Sequence, residues 1–137
     1  MSSDIPPGTY IIISRVLDVD GCELAMTFNG KSQPITVRSI NPNDTTQHWV
    51  VDDHKGGPQC ITPKDDRSLE AGWGDTIDTL PKGGYFWNIT QDGGFAIMDP
   101  NNSINWGIEN AEDGAEVFPA EKSNNVMNRW VFREIDA

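Results

Sequence analysis

Basic side chains are scarce in this chain. Lys plus Arg number 10 against 21 Asp plus Glu, a formal net charge of −11. Binding to nucleic acid draws on basic groups that release counterions from phosphate, so DNA and RNA are excluded as partners. The same balance argues against an anionic membrane surface, and no apolar run is long enough to span a bilayer. The segment Met1-Ser2-Ser3-Asp4-Ile5-Pro6-Pro7 has neither a basic nor an apolar stretch. No secretory leader is therefore expected, and a cytoplasmic location is. Sequons start at Asn43, Asn88 and Asn101; without a secretory route they are expected to stay unmodified. Cys22 and Cys60 can form at most one bridge, and two reduced thiols are the expectation.

Catalytic chemistry is equally thin. The two histidines, His48 and His54, stand at no spacing that suggests a triad or a zinc site. Asp18-Val19-Asp20-Gly21-Cys22-Glu23 opens like a calcium loop but lacks the later ligands, and Asp-Gly is an ordinary turn signal. Nothing singles out two of the carboxylates as a glycosidase pair, and no complete phosphate-cradling loop motif occurs. A protein without enzymatic activity, metal or cofactor is expected.

What is present is a repeat. Trp49, Trp87 and Trp130 lie in similar settings, His48-Trp49-Val50, Phe86-Trp87-Asn88 and Arg129-Trp130-Val131, with spacings of 38 and 43 residues. A period in this range signals a repeat architecture. The length, 137 residues, suits one domain. Apolar runs of about four to six residues alternate with Gly, Pro, Asn and Asp clusters, as short strands do. The 13 glycines and 9 prolines would break most long helices. The first unit, about 8–53, predicts strands at 8–16, 23–28, 35–38 and 49–51. The second, about 58–91, predicts them at 59–62, 68–73, 76–80 and 85–90. The third, about 94–135, predicts them at 94–98, 103–108, 116–120 and 129–133. Twelve strands in three pseudo-repeats make an all-β chain of β-trefoil class, with residues 1–137 as a single domain. Trp73-Gly74 and Trp106-Gly107 are taken as matching positions, with Phe28-Asn29-Gly30 at the same place in the first unit.

The tryptophans then divide. Trp49 and Trp130 are expected in the core, each flanked by β-branched or aromatic residues. Trp73 can be exposed, where an indole stacks on a sugar face or anchors a protein partner; Trp106 is expected to cap a barrel end.

With the units laid out, the chain resembles a group of small mushroom β-trefoil proteins. The likeness runs through Pro7-Gly8-Thr9-Tyr10-Ile11-Ile12, Arg15-Val16-Leu17, Leu24-Ala25-Met26-Thr27 and Arg129-Trp130-Val131. The group includes an ink-cap lectin that binds fucosylated chitobiose and the cocaprins, acidic inhibitors of cysteine and aspartic proteases. The cocaprin resemblance implies inhibition of papain-like proteases through the loop between the second and third strands. Here that loop is Phe28, Asn29, Gly30, Lys31, Ser32, Gln33 and Pro34. It also implies a pepsin-like aspartic protease as a second partner, at a position left open among residues 52–58, 63–67 and 111–115. The lectin resemblance implies a glycan site at Trp73, Leu80, Tyr85 and Trp87. It departs from the lectin pattern at Gly84, where an amide is expected, and at Phe86, where a small branched residue is. Protease inhibition is the first expectation, glycan binding the alternative, and a homodimer would fit either.

Overall fold

Short runs of β-branched and aromatic residues, cut by turn residues, give strands of four to seven residues. The computed structural model describes residues 5–53, 58–91 and 93–135. Its strands are β1 (Gly8–Ser14), β2 (Leu24–Thr27), β3 (Thr36–Ser39), β4 (Trp49–Asp53), β5 (Gln59–Pro63) and β6 (Leu69–Trp73). They continue with β7 (Ile77–Pro81), β8 (Asn88–Gln91), β9 (Phe95–Met98), β10 (Ile104–Gly107), β11 (Phe118–Glu121) and β12 (Trp130–Glu134). Single 3-10 turns at Thr45–Gln47 and Val126–Asn128 were not expected. Each is capped by an Asx side chain, Asp44 or Asn125, that accepts from a turn amide.

Six strands form a barrel. β1 pairs with β4 and β12, β4 with β5, β8 with β9, and β9 with β12. The seam between the β5 and β8 edges is closed by Gln59 and Trp87, whose backbones exchange bonds of 2.8 and 2.7 Å. The remaining strands form the hairpins β2–β3, β6–β7 and β10–β11. These hairpins meet in a ring: Ile35 N–H donates to Ile77 O, Ile77 N–H to Val117 O, and Val117 N–H to Ile35 O, each at 2.8 Å. The fold is a β-trefoil.

The repeated tryptophans hold the hairpins to the barrel. All are buried, and each indole N–H donates to a carbonyl of the second strand in its own unit: Trp49 to Met26 (2.9 Å), Trp87 to Ala71 (3.0 Å) and Trp130 to Trp106 (3.0 Å). The ladders pair Met26 with Val37, Ala71 with Thr79, and Trp106 with Pro119, each partner two residues beyond a ring residue. Met26, Ala71 and Trp106 are therefore equivalent. This corrects the expected match of Trp73 with Trp106, which is displaced by two residues. Trp73 corresponds to Phe28 and to Ile108. Trp106 faces inward and is fully buried, its ring edge-on to Trp87 at 4.9 Å, rather than capping a barrel end. Its bulk sits where the second unit has only Ala71, as interdigitating large and small core residues require.

A second threefold element is the turn between the first two strands of each unit. Asp18, Asp66 and Asp99 each accept an N–H from the residue three ahead on their carbonyl, Gly21, Leu69 and Asn102. Each carboxylate also takes backbone amides, with Asp20 and Cys22 on Asp18, Ser68 on Asp66, and Ser103 and Ile104 on Asp99. Asp99 is only 2% exposed. Burial opposes its charge, but hydrogen bonds from Ser103 Oγ and from the Ile104 and Ser103 amides outweigh it and hold its carboxyl below the ordinary range.

Removing a repeated tryptophan should be severe: Trp130→Ala should cost about 3–5 kcal/mol of unfolding free energy in urea titration. Asp99 is depressed in the folded state, so its contribution is present above the unfolded carboxyl value, about pH 4, and is lost as pH falls through the folded one. In Asp99→Asn the loss of stability between pH 5 and pH 3 should be shallower than in the parent, measured by the same titration.

Candidate functional site

The three units differ most around Trp73. At that position Phe28 is half-buried and Ile108 is 2% exposed, but Trp73 is 42% exposed. Hairpin length is the cause. Residues 74–76 alone join β6 to β7, closed by Gly74 N–H to Thr76 O at 3.0 Å, whereas residues 28–35 and 108–117 make the other two connections. Ala111 and Ala115 of the long third connection pack onto the core beside Ile108. Nothing of the kind covers Trp73.

Leu80, opposite Glu70 in the same hairpin, and Tyr85 are both half-exposed. They converge over Gly72, where an added Cβ would stand 2.7 Å from Leu80 Cδ1 and 2.9 Å from Tyr85 Cδ2. Only glycine fits beneath them. Trp87 departs from expectation. It is 1% exposed, its ring lies 6.3 Å from that of Trp73 at a tilt of 32°, and its N–H is committed to Ala71. Trp87 supports Trp73 from behind and offers no face to a ligand.

Glu70, absent from the sequence expectations, organises the loop carrying Tyr85. The side chain is 3% exposed, and Oε2 accepts the N–H groups of Gly83 (2.8 Å), Gly84 (3.0 Å) and Tyr85 (3.0 Å). Gly84 adopts φ +90, which a side chain would resist. The sequence signal is a strand glutamate opposite Leu80, shortly before the pair Gly83-Gly84, whose backbone can turn successive amides to one point.

The loop Phe28 to Pro34 is exposed at Asn29 and at Lys31, Ser32 and Gln33, yet it is braced. Thr79 of β7 donates its hydroxyl to Gly30 O (2.7 Å) and its N–H to Gln33 O (3.1 Å), and accepts Ser32 N–H (2.6 Å). Asn29 Nδ2 donates to Pro34 O and Thr36 Oγ1, both at 2.9 Å. Gly30 at φ +112 and Ser32 at φ 65 make the tight path. The loop therefore runs beside β7, the strand that carries Leu80.

The other sequence candidates have local duties. His48 is buried with Nε2 2.9 Å from Pro42 O, and His54 lies outside the described residues, as do residues 54–57 of the 52–58 loop. Asp65 accepts from Thr45 Oγ1, and Asp113 accepts from Ser39 N–H. Asp52 pairs with Arg67 at 2.8 Å. Cys22 and Cys60 are free thiols, and burial, with Asp52 next, pushes the Cys60 thiol up. A concavity of about 530 Å³ is lined by Met98, Asn105, Lys122, Asn124 and Arg129, and one of about 440 Å³ by Thr76, from the short connection after Trp73, with Glu109, Glu112, Glu116 and Phe118.

A six-strand barrel closed by three hairpins, one from each unit, defines a β-trefoil. Residues 8–130 match the CCL2-like, CCL2 lectin-like family, and the chain belongs to it. No curated protein matches the chain in sequence. Among solved structures it is similar to a mosquitocidal holotoxin (TM-score 0.84, 15% identity), over 96% of this chain but only 18% of that one. It is similar over whole chains to the Rhizoctonia solani agglutinin (TM-score 0.74, 16% identity, 98% and 100% covered). The Macrolepiota procera ricin B-like lectin in complex with lactose gives a TM-score of 0.69 at 18% identity, with 98% and 99% covered.

Thr79→Val deletes the hydroxyl bond to Gly30 while leaving the backbone bonds. It should lower stability by about 0.5–1.5 kcal/mol and speed amide exchange at Ser32, with little change elsewhere.

Proposed function

We propose that the protein is a lectin that binds neutral glycans of fucosylated or chitobiose type on the platform of Trp73, Leu80 and Tyr85. The observation that carries this is the exposure of Trp73 on a backing of Trp87, where the equivalent Phe28 is half-buried and Ile108 is buried. An indole face and a leucine suit the apolar face of a pyranose, and the Tyr85 hydroxyl suits its rim. Family membership supports the same reading, as does the lactose named with the Macrolepiota lectin. A glycan array followed by calorimetry tests it. Trp73→Ala should weaken the best glycan at least about tenfold, a loss typical of a truncated hot-spot aromatic, with the unfolding midpoint retained. Folded protein that gives no array signal would end this reading.

A second reading, inhibition of papain-like cysteine proteases by the loop Asn29–Gln33, is favoured by one observation. The loop is exposed, yet Thr79 and Asn29 fix it, and a pre-organised loop loses little entropy on entering a cleft. Lys31-to-Glu and Gly30-to-Ala changes should then raise the inhibition constant for papain and leave glycan binding untouched. Inhibition of a pepsin-like protease, assayed beside it, would belong to a separate surface. In this reading as in the first, the protein acts by binding alone, in the cytoplasm.

A further inference from the structure

The segment before the fourth strand is tied to the hairpin of its own unit in all three units, and the three do it differently. In the first, Gln47 stands two residues before Trp49 and is 2% exposed. Its amide donates to Ser39 O (3.2 Å) and accepts Asn41 N–H (2.8 Å). In the third, Asn128 stands two before Trp130, is 6% exposed, and donates to Ser123 Oγ at 2.9 Å. Asn105, the residue before Trp106, also accepts Ser123 N–H at 2.9 Å. In both units the residue two before the tryptophan is buried against its own hairpin and is consumed by the tie.

In the second unit that residue is Tyr85, and it is half-exposed. The tie comes from the other side. Glu70 precedes Ala71, at the place of Ala25 and Asn105 in the other units, and its Oε2 gathers three successive amides, Gly83 to Tyr85. Hydrogen bonds to a carboxylate are stronger than those between neutral groups, and one buried oxygen replaces the side-chain amide used elsewhere. Gly83 and Gly84 carry no side chain that would keep their amides from converging, and Gly72 leaves room for the phenol ring.

We propose that Glu70 is the positioning residue of the aromatic platform. By taking over the structural tie it releases the side chain at position 85, and by holding the Tyr85 amide it sets the ring beside Leu80 over Gly72. The inference rests on the glycan-binding reading above. It separates glycan recognition from the hairpin tie: in the other units one residue is bound to the tie, and here Glu70 carries the tie and Tyr85 carries recognition.

The test is Glu70→Gln in the full chain, read by amide exchange and by calorimetry against fucosylated chitobiose. Exchange at Gly83, Gly84 and Tyr85 should accelerate at least about tenfold, as loss of charge-assisted bonds requires. Exchange at Ile35, Ile77 and Val117 should stay as in the parent. Glycan affinity should fall by about tenfold or more, in line with a displaced hot-spot aromatic. In Tyr85→Gln, which retains Glu70, the amides should stay protected while affinity is lost. If Glu70→Gln leaves both exchange and affinity unchanged, the proposal is wrong. Accelerated exchange with unchanged affinity overturns it too, by reducing Glu70 to a structural tie. If the ring amides lose protection in Glu70→Gln, Glu70→Asp keeps the charge at shorter reach and supplies the same comparison. A parent protein that binds no glycan would remove the glycan reading itself, and the exchange data would still decide whether Glu70 fixes the loop.

Discussion

Three amides of the hairpin cap, at Ile35, Ile77 and Val117, have no route to water, and each is satisfied only by a hairpin of another unit. A single such bond contributes little net stability, but leaving a buried amide unpaired costs about 1–3 kcal/mol. The ring is therefore a condition on the fold: no hairpin can be seated unless the other two are. It fixes the register of β2–β3, β6–β7 and β10–β11 against one another. That register delivers Met26, Ala71 and Trp106 to the indoles of Trp49, Trp87 and Trp130. Trp73 is placed by the same constraint, because it lies two residues beyond Ala71 and four before the ring residue Ile77.

Once the symmetry is imposed, the differences between units become informative. A connection of residues 74–76 leaves an aromatic ring bare where longer connections cover its counterparts. The small Ala71 in one unit accompanies the large Trp106 in another. A carboxylate takes over the loop tie in the only unit whose penultimate position before the tryptophan is an aromatic rather than an amide. Each departure changes side chains and loop lengths while leaving the backbone ring intact, so the scaffold tolerates asymmetry between its units.

Much of the scaffold was legible in the chain because its signals are local. β-branched runs such as Tyr10-Ile11-Ile12-Ile13 and turn clusters such as Asn41-Pro42-Asn43-Asp44 mark strands and breaks without knowledge of partners. The core placement of Trp49 and Trp130 followed from their flanks. Longer-range features were not legible. Trp-Gly occurs twice, and identity of letters suggested a match that the ladder places two residues apart; only the partner strand decides which face a residue shows. Trp87 carries both the repeat position and the lectin-like spacing, and burial by Trp73 and Trp106 decides between them. Glu70 looks in sequence like a solvated strand residue. Its role depends on three amides more than ten positions away, which no local pattern encodes.

The pairing of β1 has a consequence for how the protein is made. β1 is bonded on one side to β4 at Gly8–Tyr10 and on the other to β12 along Tyr10–Ser14. During synthesis the first strand can find β4 early but waits for β12, the last of the twelve. Through that interval Tyr10-Ile11-Ile12-Ile13 presents an unpaired, apolar edge, the kind of template on which nascent chains associate. The high negative charge of the chain opposes such encounters between copies. The acidity thus works in favour of a barrel that can be sealed only once its twelfth strand has been made.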